Sequence, residues 1–333
     1  MHEVIAALVQ GRGEIDEPAW RSLWDGIESS AVDRAEIAAL LASLSTKLPD
    51  PESLRALVRS LRVEAAPWPG TVNIVGTGGG PRTFNISTAA AFVAAAMGVP
   101  VVKSGSRAYT GSAGSIDLLE RLGVGLTKSL DETASTLAKQ GVAFTGPFVY
   151  PSVLTRMART LVPLGMRRFG RFLNALGPFI ATVPVAAQVT GVSAAVSLAD
   201  LRELASAQDR RIWLCANDFG ADELLGFAHN VIHTNDGGPI RLSPGVLARG
   251  DGGLADLAEH PGSLVDHFLD VLAGKAHRTA LEAVALNAAA LAVASGHTPA
   301  WPDAYEAAES ALRDGAARSL VDRLRKPTAV LHA

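Results

Sequence analysis

The sequence predicts an α/β protein that carries a small all-helical domain, its central sheet mainly parallel and flanked by helices. Three observations predict this class. Apolar residues recur at helical spacing before residue 64, prolines and a glycine interrupt at 65–70, and β-branched runs then alternate with alanine-rich helical stretches. The chain has 333 residues and a formal charge of −3. Apolar residues make up 48% and charged residues 19%, which excludes a disordered chain. The slightly negative balance argues against a protein that wraps nucleic acid.

Three amphipathic helices are expected near the N-terminus, from Trp20, Leu23, Trp24 and Ile27, then Ile37, Leu40, Leu41 and Leu44, then Leu54, Leu57, Val58 and Leu61. Asp50-Pro51-Glu52 supplies the third with a cap, a first-turn proline and an acid facing the dipole. Residues 1–64 therefore form the helical domain, completed by helices within about 150–180, and 71–333 form the α/β domain. Residues 65–70 read as a linker.

In the larger domain a strand is expected at Thr71–Val75, a helix at Ser87–Met97, a strand at Val99–Lys103 and a helix at Ile116–Leu122. Further strands fall around Val142–Thr145 and Ile212–Ala216. Cys215 is the single cysteine, which excludes an internal disulfide and fits a reducing cytoplasm. The longest apolar run, 89–102, has 14 residues and contains Gly98 and Pro100, whereas a membrane span needs about 20. Acids come early at the N-terminus and no signal pattern is present, so a cytoplasmic, membrane-free protein is expected.

Three loops carry candidate chemistry. Gly76-Thr-Gly-Gly-Gly80 lies between a strand and a helix start, where free N–H groups and the helix dipole attract anions. Behind it, Asn85, Ser87 and Thr88 either cap the helix or hold an anion or a metal. The second loop, Lys103–Ser115, also follows a strand and offers Lys103, Arg107 and several hydroxyls. The third is Asn217–Glu223, whose adjacent acids Asp222 and Glu223 are either helix-dipole partners or hard-oxygen Mg²⁺ ligands. His229 and His233 lack the neighbouring Glu of a zinc protease and precede an Asn235–Gly238 hairpin turn, so no zinc site is expected. The cluster Arg156–Arg171 reads as a surface face, an anion patch or a nucleic-acid contact.

Together these stretches resemble the anthranilate phosphoribosyltransferase family of nucleoside phosphorylase-like glycosyltransferases. The resemblance rests on the 76–88 loop with its Thr83-Phe-Asn-Ile-Ser-Thr88 string and on Lys103–Asp117. Leu173-Asn-Ala-Leu-Gly-Pro178, Asp222-Glu223 and Leu286-Asn-Ala-Ala-Ala-Leu291 follow in order. It implies a Mg²⁺-dependent pentosyltransferase that moves phosphoribose from phosphoribosyl pyrophosphate (PRPP) to a small aromatic or heterocyclic acceptor. Pyrophosphate is released, and the chain would pair as a homodimer through its helical domain. PRPP contacts would come from Gly76, Thr77, Gly79, Gly80, Thr83, Asn85, Ser87, Thr88, Lys103, Arg107, Gly111 and Ser115. Ser87, Asp222 and Glu223 would hold Mg²⁺, and Ser104, Ser106, Tyr109, Tyr150, Arg159 and Arg167 would contact the acceptor.

The chain also departs from that pattern. Gly80 stands where the family carries an acid, Pro81 follows, the loop is one residue shorter, and Arg82 replaces a small or polar residue. Ser104 and Ser106 replace a His and an Asn, Tyr150-Pro151 replaces His-Pro, and Leu161 stands where an arginine is expected. By the resemblance several of these positions belong to the acceptor site, so the acceptor need not be anthranilate. Ser106–Gly111 also resembles a loop of the pyrimidine nucleoside phosphorylases, which makes phosphorolysis the alternative. A non-catalytic relative binding nucleic acid through its arginines is a third reading.

Overall fold

The computed structural model describes residues 1–63, 65–105, 107, 114–162, 170, 172–258 and 263–325. The chain divides into two compact units, one of 1–65, 148–182 and 196–209, the other of 66–147, 183–195 and 210–333.

The first unit is helical. Its N-terminal part holds α1 (Glu3–Gln10), α2 (Glu17–Glu28), α3 (Arg34–Thr46) and α4 (Pro51–Leu61). Helices α8 (Ser152–Thr160), α9 (Phe172–Ile180) and α10 (Leu198–Ser206) complete it. Helix α10 lies outside the 1–64 and 150–180 segments that the sequence assigns to this unit. Aspartates start three of the helices. Asp16 accepts the Ala19 N–H, Asp33 and Glu36 form a reciprocal capping box, and Asp50 accepts from Glu52 and Ser53. Each such cap is worth about 1 kcal/mol.

Helix α2 buries Trp20, Leu23, Trp24 and Ile27, the stripe that the spacing predicts. The two indoles stack with centroids 5.4 Å apart. Each indole N–H finds an acceptor on α4: Trp20 Nε1 donates to the Ser53 carbonyl at 3.1 Å and Trp24 Nε1 to Ser60 Oγ at 2.7 Å. The polar edge of each ring is thus satisfied while its area leaves water.

The second unit is built on strands β1 (Trp68–Gly76), β2 (Val101–Lys103), β3 (Val142–Phe144), β4 (Val185–Gly191), β5 (Arg211–Asn217), β6 (Asn230–Thr234) and β7 (Ile240–Leu242). They lie in the order β3-β2-β1-β4-β5-β6-β7, the first five parallel and the last two antiparallel. Around them run α5 (Ile86–Ala96), α6 (Ser115–Leu122), α7 (Leu130–Gln140), α11 (Leu264–Leu272), α12 (Arg278–Ala294), α13 (Trp301–Arg313) and α14 (Ala316–Leu324). Val72, Ile74, Val101, Ala187 and Val189 share one core with the alanine-rich α5 and α12. Helix α12 is buried nearly all round, as an apolar helix without a polar face must be. Among the described residues, no helix is long and apolar enough to cross a membrane.

Two expectations need correction. Strand β1 begins inside the expected linker: the Trp68 N–H donates to the Pro184 carbonyl at 2.8 Å and Trp68 pairs with Val185. The register shifts before Val72, with Gly70 at φ 70°, so Pro69 falls in an irregular stretch. Strand β4, central to the sheet, carries no sequence signal of its own. It is flanked by parallel strands and buried, so Val185-Ala-Ala-Gln-Val-Thr-Gly191 shows no alternation.

The strand order reverses between β1 and β4. In open parallel sheets that switch point, at the carboxyl ends of the strands, leaves a crevice where ligands bind.

Candidate active site

Strands β1 and β4 both end on glycine at the switch point, and Gly76 is the register partner of Gly191. Asp222 rests on both. A Cβ at Gly76 would lie 2.2 Å from Asp222 Oδ2, and one at Gly191 would lie 1.7 Å from the Asp222 carbonyl oxygen. Neither position admits a side chain while Asp222 stays where it is.

The glycine loop turns over this platform. Gly78 and Gly79 sit at φ 69° and 82°, a conformation that L side chains rarely take. The Gly78 N–H donates to Asp222 Oδ2 at 2.7 Å. Ser193 braces the loop from β4: its N–H donates to Thr77 Oγ1 at 3.0 Å and its hydroxyl to the Gly78 carbonyl at 2.6 Å. A Cβ at Gly80 would meet the Gly220 carbonyl at 2.9 Å and Ser193 Cβ at 3.1 Å. That crowding gives a physical reason for glycine where the resembling family carries an acid.

Farther along, Thr83 Oγ1 donates to Glu223 Oε1 at 3.0 Å. Helix α5 then starts at Ile86 without a side-chain cap from Asn85. Its first turn carries Ser87 and Thr88, and Thr88 Oγ1 is buried with no hydrogen-bond partner.

Asp222 and Glu223 do not start a helix. Among the described residues the segment between β5 and β6 is a run of turns, so the helix-dipole explanation of the pair is overturned. Both residues are half-buried, but their carboxyl groups are withdrawn from water, and Glu223 Oε2 has no partner. Burial raises the Asp222 carboxyl above its ordinary range, against the Gly78 N–H and Lys103, which favour its charge. Burial and the neighbouring Asp222 push Glu223 up further, against Thr83 and Lys103.

Lys103 is not on a solvated face. It is 3% exposed, and its ammonium donates to the Ile74 carbonyl at 2.9 Å. Burial lowers its pKa to about 8, opposed by the charges of Asp222 and Glu223. The site therefore gathers two carboxyls and an ammonium that all resist ionisation, with one carboxylate oxygen unused. Such a site gains from a dication, for which paired carboxylates and a hydroxyl are suitable donors.

The remaining predicted residues are placed as follows. Arg107 is committed to ion pairs with Asp117 and Glu120, so an anion would compete there with two carboxylates. Gly105 packs against Ser115, whose Oγ would lie 2.1 Å from an added Cβ. Ser104 is buried and joined to Asn73 by two hydrogen bonds. Its N–H donates to Asn73 Oδ1 at 3.1 Å, and its Oγ accepts from Asn73 Nδ2 at 3.0 Å. In the helical unit, Tyr150 precedes α8, Arg159 lies in the last turn of α8, and Leu161 is fully buried. Ser106, Tyr109, Gly111 and Arg167 lie outside the described residues, and with them most of the loop that carries the phosphorolysis alternative. Among the described residues no group of three His, Cys, Asp or Glu side chains forms a metal cluster. Cys215 is buried and its thiol is pushed up by burial. Gly191 and Ser193, which pack against Asp222 and the glycine loop, are not announced by the sequence. Their only signal is a strand ending in glycine, which needs the β1–β4 pairing to acquire meaning.

Comparison with known proteins agrees with this geometry. The family model described as "Glycosyl transferase family, a/b domain" matches residues 69–318. The chain is 32% identical over 318 residues to an anthranilate phosphoribosyltransferase of Methylobacterium nodulans, covering 91% of this chain and 92% of that one. It is 29% identical over 337 residues to the enzyme of Bacillus pumilus, covering 98% of each. The crystal structure of anthranilate phosphoribosyltransferase from Thermus thermophilus superposes with a TM-score of 0.81 at 30% identity, over 97% of this chain and 98% of that one. The enzyme of Saccharomyces cerevisiae in complex with PRPP and Mg shares the fold at TM-score 0.74 and 20% identity, over 93% of this chain and 91% of that one. By sequence, fold and the chemistry of its switch point, the chain belongs to the anthranilate phosphoribosyltransferase family, a family of pentosyltransferases.

Proposed function

We propose that the chain transfers phosphoribose from PRPP to a small aromatic or heterocyclic acceptor, releases pyrophosphate, and requires Mg²⁺ held by Asp222, Glu223 and Ser87. The observation that carries this reading is the acid pair itself, with Asp222 seated on Gly76 and Gly191 and Glu223 Oε2 unpartnered. In the reaction the bond from C1′ of the ribose to pyrophosphate breaks and a bond from C1′ to the acceptor's nucleophilic atom forms. Mg²⁺, when bound, supplies neutralisation of the charge that gathers on the departing pyrophosphate.

The protein's own groups do the rest. The Thr77 and Gly78 N–H groups are taken by the Gly191 carbonyl and Asp222 Oδ2, so the Gly79 and Gly80 N–H groups and that of Ser87 at the start of α5 are the donors offered to phosphate oxygens, helped by the helix dipole. Thr88 Oγ1, buried and unpartnered, adds a hydroxyl. Lys103 holds positive charge beneath the acid pair. Little covalent chemistry is left to side chains, so positioning and electrostatics carry the rate.

Within each unit the chain departs from the family at a position where the resemblance implies a grip on a carboxylate. Ser104 replaces the histidine and already bonds Asn73, and Leu161 replaces an arginine and is buried. An acceptor that relies less on a carboxylate than anthranilate does is therefore expected.

Calorimetry with PRPP, with and without Mg²⁺, followed by pyrophosphate release across a panel of aromatic amines and heterocycles, tests the reading. Wild-type protein should bind PRPP tightly only with Mg²⁺. Asp222→Asn with Glu223→Gln should lower pyrophosphate release by about 10³-fold or more. Undiminished turnover in that double variant would overturn the metal assignment.

A further inference from the structure

The segment that carries Asp222 and Glu223 has no helix or strand to hold it, yet its backbone is tightly bonded. The bonds come from asparagine side chains on other elements. Asn217, at the end of β5, donates from Nδ2 to the Ala221 carbonyl at 3.0 Å and the Glu223 carbonyl at 2.8 Å. Its Oδ1 accepts the Phe219 N–H at 3.0 Å.

Asn287, in the middle of α12 and 2% exposed, approaches from the other side. Its Oδ1 accepts the Leu224 N–H at 3.1 Å, and its Nδ2 donates to the Leu224 carbonyl at 2.8 Å. The second Nδ2 hydrogen goes to the Ala283 carbonyl, also at 2.8 Å, one turn back on the same helix. That last bond locks the rotamer, so the amide is presented to Leu224 in one orientation.

The Glu223 carbonyl and the Leu224 N–H belong to the same peptide unit. Asn217 grips its oxygen and Asn287 its nitrogen, so rotation of that plane would break bonds on both sides. That plane contains the Glu223 Cα, so holding it fixes the point from which the side chain starts, while Thr83 Oγ1 holds the carboxylate end.

We infer that Asn287, with Asn217, is a positioning residue that fixes the Glu223–Leu224 peptide and thereby aims the Glu223 carboxylate for metal binding. The inference rests on the reading of Asp222 and Glu223 as Mg²⁺ ligands and adds to it the device that orients one of them. Neither asparagine touches the metal or the substrate. Partners that orient metal ligands typically change affinity 10–100-fold when altered.

Two variants test this. Asn287→Asp keeps the acceptor for the Leu224 N–H but turns a carboxylate oxygen toward two carbonyl oxygens. Asn217→Ser removes the grip on the Glu223 carbonyl at a half-buried turn, so it decides the matter if the first variant does not fold. Calorimetric titration of MgCl₂ in the presence of PRPP is compared with PRPP titration without metal, with circular dichroism to confirm folding. Mg²⁺ affinity should fall about 10–100-fold, while metal-free PRPP binding stays within twofold and excess Mg²⁺ restores the complex. A loss confined to general stability would weaken both titrations alike and would overturn the inference. So would folded variants that bind Mg²⁺ as the wild type does, provided Glu223→Gln abolishes that binding. If the wild type itself shows no Mg²⁺-linked binding, the reading of the acid pair fails, and the inference with it.

Discussion

The helical unit and the sheet's switch point solve opposite problems. In the helical unit every feature lowers the free energy of the fold. Trp20 and Trp24 leave water with both N–H groups satisfied, and Asp16, Asp33 and Asp50 cap helix ends. At the switch point the fold holds two carboxyls and a lysine away from solvent and leaves Glu223 Oε2 and Thr88 Oγ1 without partners. Groups so placed cost stability unless something binds them. Of the two regions, the one left poorly satisfied on its own is the one proposed to meet a ligand.

The comparison can be broken most forcefully at the tryptophan pair. Trp20→Ala should destabilise the protein by about 3–5 kcal/mol, read as a lower midpoint in urea. A change under about 1 kcal/mol would mean that the stack and its bond to Ser53 carry little of the unit's stability. A change of opposite sign is expected at the switch point. Without Mg²⁺, Glu223→Gln should stabilise the protein by about 1–3 kcal/mol, because it removes an acid that is held out of water beside a second acid and has one oxygen unpartnered. A lower melting temperature in that variant would refute the assignment of strain to this site.

The smallest effect concerns a cap. Burial tends to raise the Asp50 carboxyl, but hydrogen bonds from Ser53 and Glu52 outweigh it and hold the pKa below 3.8. The folded state thus binds this proton less readily than the unfolded state. The stability it contributes is present above the unfolded value and is lost as pH falls through the folded one. Asp50→Ala should cost about 1 kcal/mol at pH 7, and the gap between the two proteins should narrow at a pH below the ordinary aspartate range. An equal gap at both pH values would exclude the ionised cap as its source.

Legibility differed between the two regions for the same reason. The helix start at Asp50 and the stripe on α2 are written within two helical turns, and the sequence announces them. The glycine loop after β1 and the acid pair were legible as residue types. Their relation was not, because Gly78 meets Asp222 across 144 positions and Thr83 meets Glu223 across 140. The pair resembled a helix start only because adjacent acids commonly occupy one. Strand β4 was invisible because a buried parallel strand needs no alternation, and the meaning of Gly191 disappeared with it.

By itself the sequence determined the fold class, the cap at Asp50 and the striped helices, the glycine turn after the first strand, and the adjacency of the two acids proposed as metal ligands. Tertiary structure alone decided that Lys103 is buried within electrostatic reach of those carboxylates, that Gly191 makes room for Asp222, and that Asn287 holds Leu224 from 63 positions away. The division is physical. Caps and periodicity act through neighbours along the chain, whereas the charge state and aim of a carboxylate depend on everything the fold packs around it.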